Sequence, residues 1–349
     1  MKKSILFTGI LFVMHTSCNQ QPSVTVGYAG EDISRNATIL RDQNNNQIVL
    51  DLKTEGKWEL YAGPSVEKIN LDKPVAQGTS SGRYQPDIDT TVRNYFELVT
   101  PSGKAILAER RLPLQGSYNF RDLGGIRTRD GRYTQWGKVF RSDDMMHLTE
   151  KDLDYLSKIP IKTVVDFRSE TEIKQSPDQK IPSVSNSYIY AITPGNITSL
   201  PFEDIARLTT QESDSLMKSV NKQLVTDSSA IEQYRKFFAL LQEEENIPLV
   251  FHCTAGKDRT GYGAYLFLSS LGVDEQTALQ DYLASNNYLA AKYGSYMEKY
   301  PDLKPLFEVR PEYLKTAIDQ IRKEHGNVEN YLTNVLNVDI EKMRELYLY

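Results

Sequence analysis

One stretch of the chain, residues 248–272, constrains its fold more than any other. The apolar run Leu249-Val250-Phe251 predicts a buried strand, and Arg259 to Leu271 predicts a helix that stops at Gly272. Gly256 lies in the short connection between them and provides the backbone freedom that a tight loop needs. Amide N–H groups of such a loop and of the first helical turn converge on one point, where the helix dipole also favours negative charge. The stretch therefore predicts an anion-binding site.

Two side chains add chemistry to this predicted anion site. Cys253 begins the loop, where the same electrostatic field favours a nucleophilic thiolate over a neutral thiol. Arg259, with five residues between it and the cysteine, can fold back so that its planar guanidinium holds two phosphoryl oxygens. Thr260 can donate its hydroxyl to the sulfur when the sulfur leaves phosphorus. Together these residues predict in-line attack by sulfur, a cysteinyl-phosphate intermediate and its hydrolysis by water.

The wider motif His252-Cys253-x-x-Gly256-Lys257-Asp258-Arg259-Thr260-Gly261 resembles the signature of the cysteine-dependent tyrosine and dual-specificity phosphatases. Its full form is similar to the atypical bacterial branch called tyrosine phosphatase family 3. The resemblance extends from about Leu112 to Tyr349 and implies an α/β fold in which helices flank a central sheet. The alternative interpretation is a buried structural cysteine ahead of a helix. The loop residues that we expect to bind the substrate phosphate are Thr254, Ala255, Gly256, Lys257 and Thr260.

Two further segments resemble the same family. The run from Tyr118 to Gly125 is polar and aromatic, and its Arg121 and Asp122 either border the phosphate site or form a structural ion pair. The second segment is an apolar strand that ends in Asp166-Phe167-Arg168. A carboxylate and a guanidinium at the carboxyl end of a strand lie where open α/β sheets place ligands. A structural pair that braces the neighbouring loop is the alternative for Arg168.

The leaving alkoxide or phenoxide needs a proton from a carboxylic acid within hydrogen-bonding reach. The family resemblance implies the loop aspartate, Asp258, in this role, and Asp166 is the alternative. His252 is expected to orient the loop through a hydrogen bond to the backbone rather than to act as a base. Lys257 resembles the lysine of phosphatases that accept phosphoinositides, and a solvated surface lysine is its alternative.

Composition excludes several classes of function. A chain of 349 residues suggests two domains, and a net charge of −5 without a long basic run argues against a nucleic-acid partner. Its two cysteines, Cys18 and Cys253, occupy separate predicted sites, so no structural disulfide is expected. The four histidines show no metal-ligand spacing, which disfavours a metallophosphatase. We expect neither a metal nor a cofactor.

The N-terminus reads as a targeting sequence. Lys2-Lys3 precede a short apolar core, and Thr16-Ser17-Cys18 resembles the cleavage site of a bacterial lipoprotein signal. The core is too short to span a bilayer as a helix. We therefore expect residues 1–18 to be a signal, residues 19–23 a tether, and Cys18 the lipidated residue of an exported cell-envelope protein, periplasmic or at the surface. Plain secretion is the alternative.

The sequence from residue 24 to residue 111 predicts β-strands only. Short alternating runs, among them Ile48 to Leu52 and Tyr95 to Val99, are separated by turn-rich stretches. This spacing predicts a small sandwich similar to immunoglobulin or fibronectin domains. The region contains no catalytic constellation, so a spacer or a wall beside the catalytic domain, residues 112–349, is favoured over a dedicated binding module.

Helices dominate the remainder of the predicted catalytic domain. Residues 192–226 predict short amphipathic helices, which form either a lid over the active site or ordinary surface helices. Ser229-Ala-Ile-Glu232 predicts a capping box that opens the next helix. Later helices are predicted from Asp274 to about Leu289 and from Val328 to the end of the sequence.

Three hypotheses about function follow. The first is a phosphomonoester hydrolase acting on phosphotyrosine, with phosphoserine, phosphothreonine, phosphoinositides or inositol phosphates as further substrates. The second is another enzyme with a Cys-x5-Arg loop, such as an arsenate reductase or a sulfurtransferase. The third is a binding protein on an inactive phosphatase scaffold. The presence of Cys253, Asp258 and Arg259 together argues against an inactive scaffold.

Overall fold

The computed structural model describes residues 28–42, 45–194 and 202–349. The predicted signal, the tether and Cys18 lie outside these residues, as does the stretch 195–201 of the predicted lid. None of the helices in the described ranges is both long and apolar enough to cross a membrane.

The first part of the chain is a β-sandwich. Inward-facing residues of both sheets, among them Leu50, Leu60 and Phe96, are fully buried in one apolar cluster. Successive residues of a strand face opposite sides, so alternate side chains enter this cluster, while outward-facing residues such as Ile106 pack against Trp136. One antiparallel sheet has the order β1-β8-β7-β4-β5 and the other β2-β3-β6. The strands are β1 (Ala29–Gly30), β2 (Ala37–Arg41), β3 (Ile48–Leu52), β4 (Trp58–Gly63), β5 (Ala76–Gly78), β6 (Gly82–Tyr84), β7 (Tyr95–Val99) and β8 (Gly103–Ala108).

A second sheet forms the centre of the catalytic part. Its order is β12-β11-β13-β10-β9, and all its strands are parallel except β9, which runs antiparallel to β10. The central strand, β13, buries Val250 against one apolar cluster and Leu249 and Phe251 against another, so both faces of the sheet are covered. The strands are β9 (Arg121–Asp122), β10 (Val139–Ser142), β11 (Thr163–Asp166), β12 (Asn186–Ile189) and β13 (Leu249–His252).

Helices cover both faces of this sheet. The helix after β13, α6, is apolar nearly all round and almost wholly buried, as expected of a helix at the centre of a domain. The helices are α1 (Glu150–Ser157), α2 (Glu170–Gln175), α3 (Phe202–Ile205), α4 (Thr210–Thr226), α5 (Ser228–Leu241), α6 (Arg259–Ser270), α7 (Glu275–Lys299), α8 (Lys304–Phe307), α9 (Pro311–His325), α10 (Val328–Asn334) and α11 (Ile340–Tyr347).

Three helix boundaries differ from those predicted. Helix α5 is capped by Asp227, whose carboxylate accepts from the next amides, so the predicted capping box at Ser229 is wrong. Helix α7 continues ten residues beyond Leu289, because no proline interrupts it before Pro301. The helix predicted from Val328 to the end is two helices, α10 and α11, separated by a turn in which Asn337 adopts a φ of 56°.

The predicted lid segment contains α3 and α4. Helix α4 buries Met217, Val220 and Leu224, and it packs on α9 and on α5. Because one face of α4 is packed on these helices, α4 is part of the core of the catalytic domain. The lid stays a prediction, because part of the segment lies outside the described residues.

The sandwich and the catalytic part share a buried junction. Arg93 of the sandwich pairs with Asp122 of β9 at 2.6 Å, with both side chains almost fully buried. The ring of Tyr28 stacks on that of Tyr133 with 4.0 Å between centroids, and Trp136 donates to the carbonyl of Ile106. Polar and aromatic contacts thus join the two parts directly.

Candidate active site

The loop after β13 has the predicted strand–loop–helix form. Cys253 directly follows the strand and is 2% exposed, and α6 begins at Arg259. Gly256 adopts a φ of 65°, and a Cβ there would lie 2.2 Å from the carbonyl oxygen of Ser142. Only glycine combines this backbone conformation with so close an approach of β10.

The loop carbonyls are held from outside the loop. The amide of Asn119 donates to the carbonyls of Ala255 and Gly256, each at 3.0 Å, and Arg141 donates to that of Gly256 at 2.6 Å. The amide N–H of Asp144 donates to the Thr254 carbonyl at 3.1 Å. Within the described residues, the amide groups from 255 to 259 have no acceptor. Because the carbonyls point outward, these N–H groups are left to bind an anion inside the loop.

Arg259 is held by a carboxylate that sequence analysis did not identify. Its Nη1 and Nη2 donate to Oε2 and Oε1 of Glu172 at 2.9 and 2.6 Å. Nη1 also donates to the carbonyls of Phe167 and Ile192, and Nη2 lies 3.4 Å from the hydroxyl of Thr254. Burial opposes the charge of Arg259, but Cys253 and Glu172 outweigh this effect and raise the pKa of the guanidinium.

Glu172 belongs to the capping box that opens α2. Its carboxylate accepts from the amide of Ser169, and Oε1 also accepts from the hydroxyl of Thr254 at 2.6 Å. Burial would raise the pKa of Glu172, but hydrogen bonds and charge from Arg259 lower it to about 2. The sequence Ser169-x-x-Glu172 matches a capping box. That local role is enough to account for a glutamate at position 172, so the sequence gives no hint of its contact with Arg259.

A second ionic network supports the loop from behind. Asp281 of α7 accepts from Nε of Arg121 at 2.8 Å and from Nη1 of Arg141 at 2.6 Å, and all three side chains are nearly inaccessible. Arg121 also donates to the side-chain oxygen of Asn119. Burial disfavours a charged Asp281, but the two arginines overcome it and lower the pKa of this carboxyl. Arg121 therefore acts on the loop through Asn119 and Asp281, and its guanidinium donates to neither the backbone nor the side chains of the described residues 253–258.

Asp122, next to Arg121, faces the other way. It accepts from Arg93 at 2.6 Å and from the amides of Gly124 and Gly137, each at 2.8 Å. These contacts place it at the junction with the sandwich, in an ion pair, rather than beside the loop. Burial raises its pKa despite the charge of Arg93.

Asp166 and Arg168 form a buried pair beside His252. Arg168 donates to Asp166 at 2.8 Å and to Asp178 at 2.5 Å. In the described part of the chain, Asp166, Asp178 and His252 are the one group whose ligand atoms lie close enough for a metal, but Arg168 already contacts both carboxylates. The two carboxylates thus bind the guanidinium of Arg168 in the place that a metal ion would take.

His252 links this pair to the loop. Its Nδ1 lies 3.3 Å from the carbonyl of Cys253, and its Nε2 lies 3.3 Å from Asp178. The second contact has ion-pair distance without the alignment of a hydrogen bond. Burial lowers the pKa of His252, but Asp166 and Asp178 outweigh it and raise the pKa to about 9. The protonated ring carries an N–H on Nδ1 toward the Cys253 carbonyl and a charge that Asp166 and Asp178 stabilise.

The remaining loop side chains are held at the start of α6. Oδ2 of Asp258 accepts from Lys257 at 2.7 Å, whereas its Oδ1 is buried and has no partner among the described residues. Lys257 is 4% exposed and also donates to the carbonyl of Glu308. In the same part of the structure, the buried hydroxyl of Thr260 has no partner either. Asp258 and Thr260 therefore each have a polar atom available for substrate or sulfur.

The segment around Tyr118 is anchored by Asp143. This carboxylate accepts from the hydroxyl of Ser117 at 2.6 Å and from the amide of Asn119 at 3.0 Å. Lys292 of α7 pairs with Asp143 at 2.9 Å and with Asp144 at 2.8 Å. The hydrogen bonds to Asp143 fix the position of Asn119. The two residues are too far apart in sequence for a local pattern to indicate this contact.

Comparison with known proteins identifies this arrangement. The model of the tyrosine phosphatase family matches residues 112–349. The chain belongs to the tyrosine phosphatase family. A protein of Cupriavidus necator, whose name places it among the tyrosine-protein phosphatases, is 30% identical over 71% of this chain and 92% of its own length. The triple specificity protein phosphatase PtpB of Mycobacterium tuberculosis is 25% identical over 69% of this chain and 100% of its own length.

The predicted family and the α/β phosphatase fold are confirmed, and so is the prediction of a phosphoric monoester hydrolase of the protein-tyrosine-phosphatase type. The core catalytic domain of the PP-IP phosphatase SIW14 from S. cerevisiae aligns with 56% of this chain and 86% of that chain. The identity is 10% and the TM-score 0.30, so this partial superposition adds nothing to the assignment.

Proposed function

We propose that this member of the tyrosine phosphatase family hydrolyses phosphotyrosine and also phosphoserine, phosphothreonine or phosphoinositide esters. The observation that carries the proposal is that Cys253 and Arg259 lie at the two ends of one loop. Cys253 lies at the base of a loop whose inner amides are unpaired, and Glu172 fixes the guanidinium of Arg259 beside that loop. Such a loop binds a phosphoryl group and stabilises the charge that develops on it.

The reaction follows from this geometry in two steps. The sulfur of Cys253 attacks phosphorus, the bond from phosphorus to the leaving oxygen breaks, and an acid protonates that oxygen. Arg259 and the loop amides hold the three equatorial oxygens throughout. Water then attacks the cysteinyl phosphate and gives a proton to the same carboxylate, which releases phosphate and the thiolate. The unpartnered hydroxyl of Thr260 can donate to the departing sulfur.

Asp258 is better placed than Asp166 to be the acid. One of its carboxylate oxygens is unpartnered, and the residue lies in the loop itself. Asp166 uses both oxygens to bind Arg168. A general acid must reach the bridging oxygen, and the two oxygens of Asp166 are both occupied by a buried arginine instead.

Replacing Asp258 by asparagine should therefore affect poor leaving groups most. We expect kcat for phenyl phosphate to fall about 10²-fold or more, and kcat for p-nitrophenyl phosphate to fall much less, because nitrophenolate leaves without a proton. Asp166→Asn is the matched control and should lower both rates by a similar factor. Leaving-group dependence in Asp166→Asn alone would assign the acid role to Asp166.

A panel of substrates tests the proposed range. The enzyme should hydrolyse a phosphotyrosine peptide, a phosphoserine peptide and phosphoinositide vesicles, and orthovanadate should inhibit all three reactions. Lys257→Met should reduce turnover of the multiply phosphorylated lipid more than that of the peptides, because it removes a cation beside Asp258. Absence of vanadate-sensitive hydrolysis on all three substrates would overturn the proposal.

We also propose that the chain is exported and attached to a bacterial membrane through a lipidated Cys18. The support is the sequence of residues 1–18, with its positive start, short apolar core and final cysteine. Cells expressing the wild type should incorporate labelled palmitate into the protein, and Cys18→Ala should not. Equal labelling of both proteins, or of neither, would contradict the proposal.

A further inference from the structure

A cleft of about 1060 Å³ lies at the junction of the β-sandwich and the catalytic part. Arg110 and Arg111, which follow β8, line it together with Trp136 and with Tyr288 of α7. The catalytic loop does not contribute to its lining as far as the described residues show. The cleft is thus a second concave site, with a volume slightly above the range of roughly 300–1,000 Å³ found for small-molecule pockets.

Aromatic rings, rather than carboxylates, hold the two arginines. The guanidinium of Arg110 lies 4.8 Å from the ring centre of Trp136, and its Nη1 donates to the carbonyl of Asp122. The guanidinium of Arg111 lies 5.8 Å from the ring centre of Tyr288. In the described parts of the chain, neither arginine forms an ion pair, and the buried Nε of Arg111 has no hydrogen-bond partner. Both planar forks therefore keep donors for an anion.

Three carboxylates near the two arginines, Asp122, Asp281 and Glu109, are already bound to other arginines. Burial lowers the pKa of Arg110 below its usual value, although Asp281 and Asp122 oppose this effect. A cation in such a position gains from an anionic ligand. The existing pairs are Asp122 with Arg93, Asp281 with Arg121 and Arg141, and Glu109 with Arg41.

We propose that this cleft binds an organic phosphate ester, with the phosphate on Arg110 and Arg111 and the organic group against the aromatic residues. Arginine matches phosphate oxygens with two parallel donors, and both Arg110 and Arg111 line this cleft. Trp136 and Tyr288 provide the apolar surface that an organic ring or chain requires. The site is separate from Cys253, so the inference does not rest on the catalytic proposal.

Trp136 provides a direct measurement of binding. The chain has two tryptophans, and the other, Trp58, is buried in the sandwich at 1% exposure. Full-length Cys253→Ser protein is titrated with phenyl phosphate while tryptophan emission is followed. We expect a saturable change that is absent in Trp136→Phe, at least tenfold weaker in affinity in Arg110→Met/Arg111→Met, and unaltered in Arg259→Met.

Arg127→Met is the matched control, because Arg127 also lines the cleft but is paired with Asp32 and exposed. It should leave the affinity unchanged. Should the double variant lose its fold by circular dichroism, Arg111→Met alone carries the same expectation, since this side chain is partly exposed. A signal that depends on Arg259, that survives loss of both cleft arginines or that phenol reproduces would overturn the proposal.

Discussion

Cys253→Ser is expected to lower kcat for p-nitrophenyl phosphate by at least about 10⁴-fold, since no other group in the loop can form the covalent intermediate. Serine is a close match in size for this buried side chain, and the loop carbonyls keep their contacts with Asn119 and Arg141. Binding should persist, because the amides and Arg259 remain in place. Steady-state kinetics and calorimetric titration with phenyl phosphate, the latter in an Arg110→Met/Arg111→Met background, separate the two effects.

The other cysteine provides the control for this experiment. Cys18 lies outside the catalytic region, so Cys18→Ala should retain full activity in solution. Rapid acid quenching of the wild type with labelled substrate should trap a phosphoenzyme that Cys253→Ser lacks. Substantial turnover by Cys253→Ser would show that sulfur is not the nucleophile.

Glu172→Gln is expected to lower kcat about 10²-fold or more, with a smaller effect on thermal stability. The carboxylate accepts two parallel hydrogen bonds from Arg259, and a glutamine amide cannot accept both. Arg259 would then lose the orientation in which it stabilises developing charge, a contribution comparable with that of an oxyanion-hole donor. The rate should fall more than substrate affinity, because the interaction strengthens as charge develops.

Glu170 on the same helix is the matched control. It is exposed and, among the residues that the structure describes, pairs only with Lys174 across one helical turn, so Glu170→Gln should change kcat little. Equal losses in the two variants would mean that Glu172 acts only as a helix cap.

The stability of the Glu172 variant should also depend on pH. The pKa of Glu172 is lowered from 4.5 to about 2, so its contribution to folding is fully present above pH 4.5. That contribution is lost as the pH falls toward 2, where the carboxylate protonates. The difference in unfolding free energy between wild type and Glu172→Gln should therefore shrink from pH 4.5 to pH 2, as measured by urea denaturation.

The centre of the site could be predicted from sequence because its parts are adjacent in the chain. A buried strand, a loop with glycine and an apolar helix lie within 25 residues, and each follows from local pattern. Cys253 and Arg259 needed only this segment. The end of α7 was harder to predict, because no residue after Leu289 is fully buried and the last turns lack an apolar periodicity that marks their length.

The carboxylates that hold the arginines of the site could not be predicted, because they are distant in sequence from the residues they contact or have another local role. Glu172 has a sufficient local explanation as a cap, and Asp281 lies 140 residues from Arg141 in sequence. Neither contact leaves a periodic or motif signal in the chain. Only the packing of α2 and α7 around the sheet brings these residues together.

For Arg121 and Asp122, the sequence indicated the region of the fold but not the direction in which each side chain points. Both were expected at the phosphate site or in an ion pair. They form consecutive residues of β9, so their side chains point to opposite faces. One therefore reaches Asp281 and the support of the loop, while the other reaches Arg93 and the sandwich.

The outward anchoring of the loop carbonyls has a consequence for inhibitor design. Since Asn119, Arg141 and the Asp144 amide already hold the peptide planes, a tetrahedral oxyanion can dock without any backbone rearrangement. Every phosphate mimic should then gain much the same free energy from this part of the enzyme. Selectivity for this phosphatase over others must come from the portion of an inhibitor that extends past the oxyanion toward side chains such as Lys257.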